Sequence, residues 1–135
     1  MEGKRIQLPP NQHRHLTSVL RIVERNLNEL ERNVLYPVSG KTFKREQDLT
    51  PDELETVYRV IEAGRKQISE MVEKYQIQPE IIHTRRFLNS RKAKIWEVLA
   101  DSLTKKLKGY GTFPEKFREE FDQDIGKLDR LLGEL

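Results

Sequence analysis

Between Leu16 and Tyr36 the apolar side chains Leu16, Leu20, Val23, Leu27, Leu30 and Val34 recur at alternating steps of four and three. That spacing is a heptad seam, a narrow apolar stripe on a helix that needs partner helices to bury it. The stripe predicts a first helix from about Gln12 to Tyr36, after an extended lead-in over residues 1–10 that ends in Pro9 and Pro10, with Asn11 as N-cap. Pro37 ends it, since its ring and missing N–H oppose another turn. The connection that follows, residues 37–49, is longer than the roughly 2 to 8 residues usual between bundle helices. Its one large aromatic group, Phe43, is placed to pin it back onto the helices.

The second helix opens at Thr50, Pro51, Asp52 and Glu53, which combine an N-cap threonine, a proline at the first helical position and a capping-box glutamate. Leu54, Val57, Ile61, Gly64, Ile68, Met71 and Tyr75 continue the three-four pattern. Gly64 inside that stripe points to a close helix crossing, to a contact with Phe43, or to a tolerated glycine. Pro79 is the expected first turn of a third helix reaching Leu107, where Lys105, Lys106 and Lys108 suit the negative dipole end and Gly109 the left-handed cap. Within it the polar run Asn89, Ser90, Arg91 predicts a kink near residues 89–91, and Trp96 is expected in the core. A shifted threonine-proline-glutamate signal at Thr112, Pro114 and Glu115 starts the last helix, whose stripe is Phe117, Phe121, Ile125, Leu128, Leu132 and Leu135. The fold expected is all-α: an elongated, mostly antiparallel four-helix bundle with coiled-coil-like seams, forming one domain over residues 1–135.

Composition agrees with thin stripes between solvated faces, at 36% hydrophobic and 35% charged residues. There is no cysteine, which removes disulfides, thiolate metal sites and cysteine nucleophiles together. No apolar run has the length of a signal peptide or a membrane span, so the expected location is cytoplasmic, with no membrane partner. The net charge of +3 hides a segregation. Residues 80–108 hold eight Lys or Arg against three acids, whereas residues 109–135 hold four against seven.

The basic segment is the main departure from a uniform surface. Arg85, Arg86, Arg91, Lys92 and Lys94 are the candidate polyanion-binding residues, able to lie along phosphates. Interleaved exposed aromatic side chains are not expected there, and the competing expectation is that this helix packs beside the acidic last helix or beside a partner's acidic face. Glu80 and His83 have a Glu-x-x-His spacing, but no second copy exists, and no metal or cofactor is expected. The run His13 to Ser18, HRHLTS, is similar to the phosphotransfer helices of histidine kinases, but covers six residues and lacks that family's acidic neighbour and proline. The resemblance implies a phosphorylatable imidazole, and His15, which points away from the seam, is the candidate. No nucleophile elbow, P-loop or dinucleotide fingerprint occurs, so no catalytic residue and no small-molecule substrate is assigned. The pattern points to a non-enzymatic helical interaction protein, a small adaptor or regulatory subunit whose partner is another protein or a second copy in a homo-oligomer. A nucleic-acid-associated protein is the alternative, and a phosphotransfer bundle a remote one.

Overall fold

The computed structural model describes residues 3–135, so the first two residues of the expected lead-in lie outside it. Among the described residues the chain is all-α, with four helices and no strand: α1 (Pro10–Leu30), α2 (Pro51–Lys74), α3 (Thr84–Ala100) and α4 (Glu115–Leu132). Contacts divide it into two compact units, Met1–Pro79 and Glu80–Leu135. Each unit is an antiparallel pair of helices, α1 with α2 and α3 with α4. None of these helices is long and apolar enough to cross a membrane.

In the first unit α1 begins two residues earlier than a cap at Asn11 would place it. Pro9 is the N-cap and Pro10 the first helical residue, where a missing N–H costs nothing. At the other end the helix widens into a π turn, Glu31–Leu35, closed by the Tyr36 N–H on the Glu31 carbonyl at 3.0 Å. Pro37 explains this ending, because a residue before proline is pushed out of the α region. The capping box of α2 forms as its sequence requires: the Glu53 N–H donates to Thr50 Oγ1 at 3.2 Å, and the Thr50 N–H to Glu53 Oε1 at 3.1 Å.

The core of this unit is Leu20, Leu27, Ile61, Ile68 and Ile77, with Ile61 only 1% exposed. Gly64 sits at the crossing, where a Cβ built on it would lie 3.3 Å from Leu27 Cδ1, so its role is close approach of the helices and not a contact with Phe43. Phe43 is exposed and its ring stands over Gly40. The loop is tied by polar groups: the Arg45 guanidinium donates to the Asn33 carbonyl and to Asn33 Oδ1, both at 3.1 Å. Beyond the crossing, Arg65 pairs with Glu31 and donates to Asn28 Oδ1 at 3.0 Å. The predicted seam is only half used. Val23 and Leu30 are 41% and 44% exposed, and Val19 and Ile22 beside them are exposed too.

In the second unit the third helix is shorter than its expected span. Residues 78–83 are not helical, α3 starts at Thr84 with His83 as N-cap, and Pro79 therefore starts nothing. The helix passes through residues 89–91 without a break and stops at Ala100, the interruption coming at Asp101 to Leu103. Two 3₁₀ turns follow, Thr104–Lys106 and Lys108–Tyr110, and carry the three lysines assigned to a helix end. The glycine with a left-handed φ is Gly111, at 111°, and not Gly109.

The reason for the early stop is a side-chain clamp. Asp122 on α4 accepts from the Thr104 N–H at 2.9 Å and from Thr104 Oγ1 at 2.7 Å, holding a buried threonine where the chain leaves α3. These two bonds favour the ionised carboxylate and hold its pKa below the ordinary value of 3.8. The α4 helix starts at Glu115 with Pro114 as N-cap, and Phe113 packs on Phe121 with ring centroids 4.9 Å apart.

Two outcomes follow for stability. Truncating Ile61→Ala removes the most buried side chain of the first unit and should cost about 2 to 5 kcal/mol, and Gly64→Val about 1 to 3 kcal/mol by forcing the crossing apart, both read from denaturant unfolding. For Asp122, whose pKa is depressed by folding, the stabilisation is present above the unfolded-state value near 3.8 and is lost as pH falls through the folded one. Unfolding curves from neutral to strongly acid pH should show this acid-side loss in the wild type, with the Asp122→Asn variant less stable at neutral pH and the difference shrinking below pH 4.

Candidate protein-binding groove

The five cations of the basic segment all lie on α3, but they do not share a face. At about 100° per residue, Arg85, Arg86 and Lys92 fall within a sector of about 120° that also contains Asn89, Ala93 and Trp96. Arg91 and Lys94 point roughly the opposite way, in the sector of Phe87 and Val98. Between the two sectors runs the packing stripe Leu88, Ile95 and Leu99, of which Leu99 is buried and Ile95 half-buried. The structure therefore splits the predicted set in two, because at a helical period positions 91 and 94 turn away from positions 85, 86 and 92.

The first sector borders a groove of about 400 Å³ between α3 and α4, lined by Asn89, Lys92, Ala93, Trp96, Asp129 and Leu132 among others. Trp96, expected in the core, is 63% exposed and forms a wall of it. The cause is register: Ile95 and Leu99, four apart, take the packing stripe, and Trp96 one residue on from Ile95 is rotated out of it. Lys92 spans the edge, its stem half-buried and its Nζ donating to the Leu135 carbonyl at 3.1 Å. The lining thus combines small and aromatic apolar surface with Lys92, Asn89 and one carboxylate, Asp129. That mixture suits a buried apolar anchor held by a few polar contacts.

On the other sector the Arg91 guanidinium lies 5.1 Å from the centroid of the exposed Phe87 ring. Exposed aromatic side chains are thus present among the cations, contrary to the expectation from sequence. The expected pairing of the basic helix with the acidic one is only geometric. Although α3 and α4 pack, no ion pair among the described residues joins Arg85, Arg86, Arg91, Lys92 or Lys94 to a carboxylate, while Arg118 pairs with Glu115 on its own helix at 3.3 Å.

The histidines are placed elsewhere. His15 is exposed on α1, away from the core, whereas His13 is half-buried with its Nε2 3.2 Å from the Gln76 carbonyl. A polar cleft of about 630 Å³ runs beside His13 and Arg21, but these side chains already bond the Gln76 and Gln78 carbonyls at the end of α2, so it works as a structural seam. Glu80 and His83 precede α3 and do not share a helical face, because helix geometry starts only at Thr84. No group of three or more His, Asp or Glu side chains that could hold a metal ion occurs among the described residues.

A family model described as Rubisco LSMT substrate-binding matches residues 20–129, more than three quarters of the chain. The chain belongs to the Rubisco LSMT substrate-binding family. No curated protein and no solved structure compared with it matches. The family is described by what it binds, a substrate of a methyltransferase, and not by catalysis. Its matched span takes in α2, α3, much of α1 and α4 and the groove residues from Asn89 to Asp129, and leaves out Leu132, His13 and His15. In this Rubisco LSMT substrate-binding chain the signal that would have located the groove in the sequence is the adjacency of Ile95 and Trp96, since only one of two neighbours can face the partner helix.

Because Trp96 is the single tryptophan, its fluorescence reports this site alone. Its emission should be quenched by iodide more strongly than by caesium, since Lys92 and the neighbouring arginines concentrate anions, and a Lys92→Gln variant should narrow that difference.

Proposed function

We propose that this chain is a non-enzymatic helical module that binds a protein segment, holding a protein substrate for a methyltransferase. The observation that carries this reading is the groove of Ala93, Trp96 and Leu132, an apolar notch on a helix pair whose family is described by substrate binding. An exposed tryptophan beside small and polar side chains is the kind of anchor point at which binding energy concentrates. Nothing in the groove activates a nucleophile, and the Asp122 carboxylate of this unit is engaged by Thr104 in holding the chain. The module would therefore contribute affinity and orientation, with the chemistry supplied by another domain or protein.

The exposed α1 stripe of Val19, Ile22, Val23 and Leu30 supports the self-association expected from the sequence, as a second surface in the other unit. A nucleic-acid reading is favoured by one observation, the exposed Phe87 and Trp96 among five cations. Single-stranded nucleic acid uses stacking platforms along a positive track, with affinity falling steeply as salt rises. It is the weaker reading here because the two rings lie on opposite sides of α3.

A peptide-display selection on the full chain tests the main reading. It should enrich peptides whose binding saturates and falls by about 2 kcal/mol or more, roughly thirtyfold, in Trp96→Ala, with circular dichroism unchanged. Selected peptides that bind Trp96→Ala as well as wild type, or a selection that enriches none, would sink it. Oligonucleotide binding that vanishes when Arg85, Arg86, Arg91 and Lys92 are replaced by Gln would promote the alternative instead.

A further inference from the structure

The groove face carries more information about its occupant than the word substrate does. Three cations, Arg85, Arg86 and Lys92, share the sector of Trp96 and Ala93 on an uninterrupted α3, within about three turns of Trp96. Only one carboxylate, Asp129, lines the groove. Arg85 and Arg86 are exposed, and no ion pair among the described residues neutralises them. The exposed acids Glu119, Glu120 and Asp124 lie near Asp122 and Thr104, at the opposite end of the antiparallel pair, and are out of reach of Arg85 and Arg86. A positive strip left uncompensated beside an apolar notch is complementary to a ligand that brings its own negative charge next to an apolar anchor.

We propose that the occupant of the Trp96 groove is an acidic peptide segment, which sets one large apolar side chain between Ala93, Trp96 and Leu132 and lays its carboxylates along Arg85, Arg86 and Lys92. This deepens, and rests on, the reading of the chain as a protein-binding module. A basic segment would meet three like charges for one Asp129, and repulsion of that kind selects against wrong partners as strongly as attraction selects the right one. A nucleic acid fits the strip less well. Its phosphates would need a track flanked by successive stacking rings on one face, whereas Phe87 lies on the far side of α3, with the Arg91 guanidinium 5.1 Å from its ring centroid.

The test follows Trp96 emission in the full chain during titration with four probes that contain neither tryptophan nor tyrosine. They are a short Glu-rich peptide with Leu anchors, its counterpart with Lys in place of Glu, the Glu-rich peptide with Ser in place of Leu, and oligo-dT. The Glu-Leu peptide should saturate and move the emission to the blue. The Lys-Leu peptide should bind at least fivefold more weakly, and the Glu-Ser peptide should give no blue shift. In the double variant Arg85→Gln, Arg86→Gln, affinity for the Glu-Leu peptide should fall at least fivefold at low salt, with the difference closing as salt rises. Circular dichroism confirms that this surface variant folds. If the Lys-Leu peptide binds as well as the Glu-Leu peptide, the acidic inference fails while the protein-binding reading stands. Tighter binding of oligo-dT than of any peptide would overturn it in favour of a phosphate ligand. If neither amphipathic peptide moves the emission, the inference fails, and the display selection separately decides the broader reading.

Discussion

Two helices packed against each other can bury only one stripe apiece, and that limit shapes this protein. In the first unit the shared stripe is Leu20 and Leu27 against Ile61 and Ile68, drawn close because Gly64 removes a side chain where the helices cross. Side chains a quarter turn away, such as Val23 and Leu30, have no third helix within that pair to cover them. In the second unit Leu99 and Ile95 face α4, and Trp96, next to Ile95 in sequence, is left on the rim. Apolar surface in excess of what a pair can bury is thus built into the architecture, and it is where binding becomes energetically favourable.

Charge follows from the same geometry. Cations at positions 85, 86, 91, 92 and 94 of one helix do not share a face at a helical period, so α3 divides them between a strip beside the groove and a second set around Phe87. The acidic helix α4 is adjacent, but its carboxylates are spent locally or face solvent. Asp122 is engaged by Thr104, and Glu115 by Arg118. What a count of charges along the chain suggests, a basic helix neutralised by its acidic neighbour, does not occur, because neutralisation needs opposing side chains within a few ångströms and not merely adjacent helices.

Membership of the Rubisco LSMT substrate-binding family and the shape of the groove both concern binding. The clamp between Thr104 and Asp122 belongs to this arrangement. By ending α3 at Ala100 and turning the chain, it brings α4 back antiparallel, so that Leu132 and Asp129 come to face Asn89 and Ala93 and complete the groove.

The helical class, the count of helices and the start of α2 were all legible in the residues, because periodicity and caps are local. Thr50, Pro51 and Glu53 need only each other to form a capping box, and Pro37 ends α1 whatever surrounds it. The end of α3 was not legible. Apolar residues continue past Ala100 to Leu103 and Leu107 with helical spacing, and only the bond from Thr104 to a carboxylate eighteen positions away decides that the helix stops. The groove was hidden for the same reason. Ile95 and Trp96 are equally good core residues in a sequence, and the choice between them is made by where α4 lies, a long-range fact that no local pattern contains.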